Sequence, residues 1–395
     1  MKLSPLFICL GLGLGLLFNS YSLFAESLNI NGFVAQGVIQ ASDSNFVTDD
    51  GDVSLKLTEI GVNSSYRINP SFRIAGQAVY LDGGNRYPNG LRVDYLFLEW
   101  QLFNNSSWHI KAQLGRNKNY HWLYSSTRDV PHTRPSIILP QSLYFDTFRD
   151  VALGVDRVAV IAQTHNKLGE WDVNFSFGNS IISKEQTHNL LGASANGKLN
   201  HDSDKQFSLY WRPKLTSFQF GFSLLDADFS YTRGDSDTLF TGDETSQRIM
   251  FNLLYQGQKW EIASEIICER VIAEDILFPG FYSDTSAEGG YLQGRYFLTN
   301  QLTVLARLDI YDRDRQNRDG QNIEIASQGL VPRYFGLMDQ VTAGVTWRYA
   351  KNIQIQGEYH KVKGTGRLAP VFTPNTILND SKYWDMWALQ LMYWF

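Results

Sequence analysis

Arg128, Asp129, His132 and Arg134 crowd four ionisable side chains into seven consecutive residues. Such a mixture can set the field at a narrow passage for solutes. Asp129 with His132 is also the chain's nearest approach to a hydrolytic acid–base pair. The other histidines, His109, His121, His165, His188, His201 and His360, are scattered and accompany no fixed nucleophile. A polar lining is therefore the plainer reading of His132. Asp312, Asp314, Asn317 and Asp319 offer oxygens of the kind Ca²⁺ takes, but Arg313, Arg315 and Arg318 lie among them and oppose a cation. No Cys/His metal spacing and no Gly-rich phosphate loop is present, so the sequence implies no cofactor.

A second charged set is spread along the chain: Arg73, Glu99, Lys111, Arg248, Glu261, Glu265, Arg295, Arg307, Arg348 and Glu358. Most of them stand in stretches where apolar and polar residues alternate. From Trp108, WHIKAQLG puts Trp108, Ile110, Ala112 and Leu114 on one face and His109, Lys111 and Gln113 on the other. From Leu302, LTVLARLDIY separates Leu302, Val304, Ala306, Leu308 and Ile310 from Arg307 and Asp309. The segments from Trp171, Phe218 and Val341 alternate in the same way. This period of two is that of β-strands. Basic residues on one side of a lumen and acidic ones on the other would give a transverse field that orients dipolar solutes. Neighbouring opposite charges would instead neutralise and merely keep the lumen wet. The sequence leaves both arrangements open, and it shows no Arg/Lys surplus of the kind phosphate selectivity favours.

The elements that must position these residues form a chain-long series of hairpins. Short turns rich in Asn, Gly, Pro and Ser fall at 68–71, 104–107, 166–169, 213–216, 256–259, 299–301 and 350–352. Longer polar stretches fall near 41–52, 82–89, 119–150, 179–204, 233–244, 273–286, 314–339 and 364–380. Together they delimit about sixteen strands with both chain ends on the short-turn side. Aromatics flank the short turns: Tyr66 and Phe72, Phe103 and Trp108, Trp211 and Phe218, Tyr255 and Trp260. The rings of a soluble β-sandwich core would not track the turns so regularly, whereas a membrane-interface girdle would. Two strands resist this reading. VDYLFLEWQL from Val93 is apolar on both faces, and Asp156 beside Arg157 forces one charge outward.

Composition agrees. The mean hydropathy is −0.25, yet aromatics reach 14%. That pairing suits strands with one greasy face. Residues 1–25 look like a secretory signal, with Lys2 ahead of an apolar run and Ala25 before the cut. Without them the chain carries 34 basic and 40 acidic residues, which argues against nucleic-acid binding, and Cys268 is left with no disulfide partner. The stretch at 119–150 is the third and longest loop, stiffened by Pro131, Pro135 and Pro140. Its Ile137, Ile138 and Leu139 could anchor it to an inner wall.

The last strand, KYWDMWALQLMYWF from Lys382, sets Trp387, Leu389, Leu391, Tyr393 and Phe395 on one face and stops on an aromatic. It resembles the C-terminal strand of Gram-negative outer-membrane barrels. That resemblance implies that Tyr393 and Phe395 form the signal read by the barrel-assembly machinery. A third loop folding inward resembles the eyelet of sixteen-stranded trimeric porins. The run from Gly115, with DVPHTRP within it and SLYFD near its end, is similar to porin-like proteins of gammaproteobacteria. The resemblance implies an all-β transmembrane barrel at 26–395 in the outer membrane, surrounded by lipid and lipopolysaccharide and forming a homotrimer. It also implies passive passage of small polar solutes, with Arg128, Asp129, His132 and Arg134 at the constriction. General porins set an acidic loop against a basic ladder. Here loop and wall are both mixed, so no ion preference carries over. A plugged surface barrel and a rim hydrolase remain as other readings.

Overall fold

Every alternating stretch becomes a strand in the computed structural model, which describes residues 28–149, 154–370 and 374–395. The expected signal at 1–25 lies outside those residues. In chain order the first eight strands are β1 (Leu28–Ser42), β2 (Thr58–Asn69), β3 (Phe72–Asp82), β4 (Gly90–Asn104), β5 (Trp108–Lys118), β6 (Gly154–Asn166), β7 (Gly169–Asn179) and β8 (Lys198–Pro213). The second eight are β9 (Phe218–Thr232), β10 (Gly242–Gln256), β11 (Trp260–Glu274), β12 (Tyr282–Phe297), β13 (Leu302–Asp312), β14 (Leu337–Ala350), β15 (Ile353–Lys363) and β16 (Tyr383–Trp394). Each pairs antiparallel with its chain neighbours, and β1 pairs with β16, so the sheet closes as a barrel. Closure removes the exposed edges that an open sheet of this size would carry.

The seam is fastened at its very end. Gly32 and Phe395 exchange two backbone hydrogen bonds of 3.1 and 3.0 Å. The Phe395 ring lies over Gly32, where a Cβ would come within 2.5 Å of it. Outward residues of β16, including Trp387, Leu389, Leu391 and Tyr393, are exposed, as is Phe395 just after it, while Met386, Ala388, Gln390 and Met392 are buried inside. A greasy outer wall is stable only against lipid.

Rings pack between strands along the short-turn end: Phe72 on Trp100, Trp171 on Trp211, Phe218 on Tyr255 and Trp260 on Tyr296, with centroids 4.4 to 5.9 Å apart. This is the expected girdle. The two ambiguous segments resolve locally. A bulge in β4 pairs Gln77 with Tyr95 and Ala78 with Val93, leaving Asp94 as the extra residue. Bulges re-aim side chains, and Asp94 is buried inside beside Gln77 at 2.7 Å. In β6, Arg157 turns inward and Asp156 outward near the strand's outer end.

The long connections all emerge at the other end. They are numbered here L1 (43–57), L2 (83–89), L3 (119–153), L4 (180–197), L5 (233–241), L6 (275–281), L7 (313–336) and L8 (364–382). L4 carries a helix, α1 (Lys184–Leu191), started by a capping box of Ser183 and Gln186. Its Leu190 and Leu191 pack on Leu199, Tyr231 and Ile276 at the barrel mouth. Two of the apolar clusters inside the barrel take in buried residues of L3. One joins Ile137 and Ile138 of L3 to Phe46 and Val47 of L1, Leu368 of L8, and Ile39, Met386 and Ala388 of the wall. The other joins Trp122, Leu139, Leu143 and Tyr144 of L3 to Met250, Ala263, Ile267 and Tyr291. The lumen is thus partly dry, where strand polarity had suggested water throughout.

Candidate functional site

L3 crosses the lumen because the wall offers it partners on opposite sides. Glu358 of β15 accepts from the amides of Ile137 and Ile138 at 3.0 and 2.6 Å. Arg307 of β13 donates to the Ile138 carbonyl at 3.0 Å and to Ser136 Oγ at 2.9 Å. Glu265 of β11 accepts from Leu123 N, Tyr144 OH and Tyr291 OH at 2.9, 2.5 and 2.8 Å. Tyr210 and Ser223 donate to the carbonyls of Tyr120 and His121. A loop has few backbone partners of its own, so these side chains complete it.

The opposite side is ionic. Asp94, Lys118, Asp129, Arg149, Glu59 and Arg134 form one continuous chain of ion pairs. Lys118 meets Asp129 at 2.7 Å, and Arg134 meets Glu59 at 2.6 Å. All six side chains are at most 7% exposed, so solvent screens them little. Beside this chain, Arg128 donates to Asp146 and to the Tyr144 carbonyl, both at 2.6 Å. Arg86 reaches the same carboxylate at 3.4 Å. Burial raises the Asp129 carboxyl, but Arg149 and Lys118 outweigh it and hold the group well below the usual carboxylate range. Asp146 is likewise lowered, with Arg86 and Arg128 outweighing its burial.

The four loop residues singled out by sequence are therefore placed as follows. Arg128, Asp129 and Arg134 are buried inside ion pairs. His132 stacks on Trp394 at 4.3 Å, one residue from the C-terminus. Burial first, then Arg134 and Arg348, lowers its pKa. Asp129 and His132 thus face different partners.

Of the wall residues, Arg73, Glu99 and Lys111 come together, with both cations about Glu99 at 3.0 and 3.1 Å. Glu261 pairs with Arg295 at 2.9 Å, and Arg248 with Glu269 at 2.6 Å. Arg348 is exposed near the short-turn end. These pairs set acid beside base, while Arg295, Arg307 and Arg348 fall on the adjacent strands β12, β13 and β14. Arg73, Glu99, Lys111, Glu261 and Arg295 are part-exposed and line an open vestibule on the short-turn side. Above it the lumen narrows. Every strand contributes at least one inward side chain under a tenth exposed, from Ala35 and Glu59 round to Gln356 and Ala388. Buried amides of Asn174, Gln206, Asn252, Gln293 and Gln390 keep hydrogen-bonding atoms with no partner among the described residues.

Several members of this site carry no strong sequence signal. Asp94 is hidden in an apolar run, and Lys118, Asp146 and Arg149 flank the loop's distinctive tract. Glu59 lies 75 residues from Arg134, and no local pattern relates them.

No family model and no curated protein matches the chain. Solved structures of similar shape do. The trimer form of in-vitro folded OmpT, an outer-membrane protein of Vibrio cholerae, aligns over 93% of this chain and 99% of that one, with 12% identity and a TM-score of 0.58. An anion-selective porin from Comamonas acidovorans aligns over 93% and 99%, with 10% identity and a TM-score of 0.55. OmpF of Salmonella typhi aligns over 93% and 97%, with 12% identity and a TM-score of 0.55. The fold is that of the outer-membrane porins, a closed barrel of sixteen transmembrane strands.

Proposed function

We propose that the chain is a restrictive outer-membrane porin, passing small hydrophilic solutes or ions and excluding larger ones. One observation carries this reading: L3 crosses the lumen and is clasped by β2, β11, β13 and β15 at once. A loop so held narrows a sixteen-stranded barrel, whose bare interior would otherwise be a wide aqueous channel. Unpartnered amides on the covered wall supply polar capacity for water and small solutes. Four of the six inner-mouth charges are basic, but Arg73, Lys111 and Arg295 are bound to carboxylates, so charge preference is weak. Arg128, Asp129, His132 and Arg134 act in this proposal by fixing L3, with Arg73, Glu99, Lys111, Glu261, Arg295 and Arg348 at the inner mouth. Trimer assembly and recognition of the last strand by the assembly machinery belong to the same proposal. An enzymatic role has little support, since Asp129 is engaged by Lys118 and Arg149 and His132 by Trp394.

The belt of buried inward side chains favours a second reading, a barrel closed to solutes that works at the cell surface. Exposed Ile181, Ile325, Leu330 and Ile377 on L4, L7 and L8 would suit such a role. Swelling of proteoliposomes in a graded series of sugars separates the two. The porin reading expects glycerol and arabinose to enter and raffinose to be excluded. Failure of every solute to enter, with correctly folded protein, would leave the closed barrel.

A further inference from the structure

Outward of L3, the walls of β8 to β13 enclose a cavity of about 100 Å³ that, among the described residues of L3, Phe148 alone lines. A water's share of liquid volume is about 30 Å³, so the cavity can admit a small solute. Its lining is polarised along the wall. Asp204 and His201 stand on β8, while Arg313 and Arg367 approach from beyond β13. Arg248 and Glu269 sit between them and neutralise each other at 2.6 Å. Leu225, Ala227 and Val271 make the floor apolar.

Both ends keep unused hydrogen-bonding capacity. Among the described residues, Asp204 Oδ1, His201 Nε2 and Arg367 Nε have no hydrogen-bond partner, and the opposite charges near them, Arg157 by Asp204 and Glu269 by Arg367, stand off at 3.8 Å. Their residues are 3%, 4% and 8% exposed, so bulk solvent does not meet them. Arg367 is fixed in place. Its guanidinium lies 3.7 Å from the Tyr311 ring centre and 5.0 Å from that of Phe145, and it donates to the Ser142 carbonyl at 3.0 Å. His201 is fixed by Ser180 at 2.7 Å and by stacking on Phe229. Orphaned polar atoms on rigid side chains are costly unless something meets them.

We propose that this cavity is a binding site for a small zwitterion of the amino-acid class, with its carboxylate toward Arg367 and its ammonium toward Asp204. Asp204, Glu244 and Glu269 balance Arg248, Arg313 and Arg367 in the lining, so a solute with net charge would leave one end unanswered. A dipolar solute answers both ends, and a short apolar side chain suits the floor. This deepens the channel reading and rests on solutes reaching the outer lumen.

Titration calorimetry of the detergent-folded barrel tests it without requiring conduction, using L-alanine with propionate and ethylamine as singly charged controls. Saturable alanine binding is expected, with each control weaker by at least about tenfold. Arg367→Gln and Asp204→Asn should each weaken alanine by about tenfold or more. Ala227→Leu, which fills the cavity without touching a charge, should abolish binding while heat-modifiable gel mobility reports a folded barrel. No saturable alanine heat, propionate binding as tight as alanine, or unchanged affinity in the folded Ala227→Leu protein would each overturn the proposal. Sugar-driven swelling without alanine binding removes the site and leaves the channel. Alanine binding without swelling removes the channel and leaves the site.

Discussion

Ile138 is held at both ends of its peptide, its amide by Glu358 and its carbonyl by Arg307. Removing Glu358 orphans two buried amides at about 1–3 kcal/mol each. We therefore expect Glu358→Ala to release L3 locally without unfolding the barrel. Trypsin should then cut after Arg128, which is buried when the loop is seated. Continued resistance would mean that the ionic side alone suffices. On that side, Asp129→Asn would leave Lys118 and Arg149 short of a counter-charge, which costs about 3–5 kcal/mol for a buried pair. Both Asp129 and Asp146 have folded pKa values below their unfolded ones. Their contribution is therefore complete above the unfolded value, near 3.9, and disappears as pH falls through the folded value. Any rise in conductance that comes from losing these two carboxylates should accordingly appear only below about pH 4. A rise centred near pH 6 would point to some other group.

The β1–β16 seam is the element on which closure depends. Deleting Phe395 removes the hydrogen bonds to Gly32 and the ring that covers it. Lower outer-membrane levels of the truncated protein are expected, with normal conductance from the molecules that do assemble. Gly32→Leu should act alike, because its Cβ would meet the Phe395 ring. Normal levels of both variants would remove the seam from the account. Strands and turns were legible in sequence because alternation, turn residues and flanking aromatics are local signals. The inner faces of β1 and β16 were less so. Ile39, Ala41, Met386 and Ala388 look like merely weaker outer faces in sequence, yet they form the dry patch that receives Ile137 and Ile138. The bulge in β4 was not legible at all, since one extra residue in a uniformly apolar run leaves no periodic trace, and it is the bulge that delivers Asp94 to Lys118.

At the scale of the molecule, sequence conveyed the container better than its contents. Sixteen strands and the ends from which loops emerge follow from a rhythm repeated along the chain. The filling follows from contacts between residues far apart, such as Glu59 with Arg134 and Ile138 with Glu358, 220 residues away. It also needs L1, L3 and L8 to share one apolar cluster, although L3 alone has the proline-stiffened look of an inward loop. The central claim is that L3, held by the wall, sets the width of the lumen. Single-channel recording in planar bilayers, comparing the native barrel with the Arg307→Ala/Glu358→Ala double variant, tests it most directly. Small, uniform steps from the native protein and several-fold larger, noisier steps from the variant are predicted. Equal steps from the two folded proteins would contradict the account.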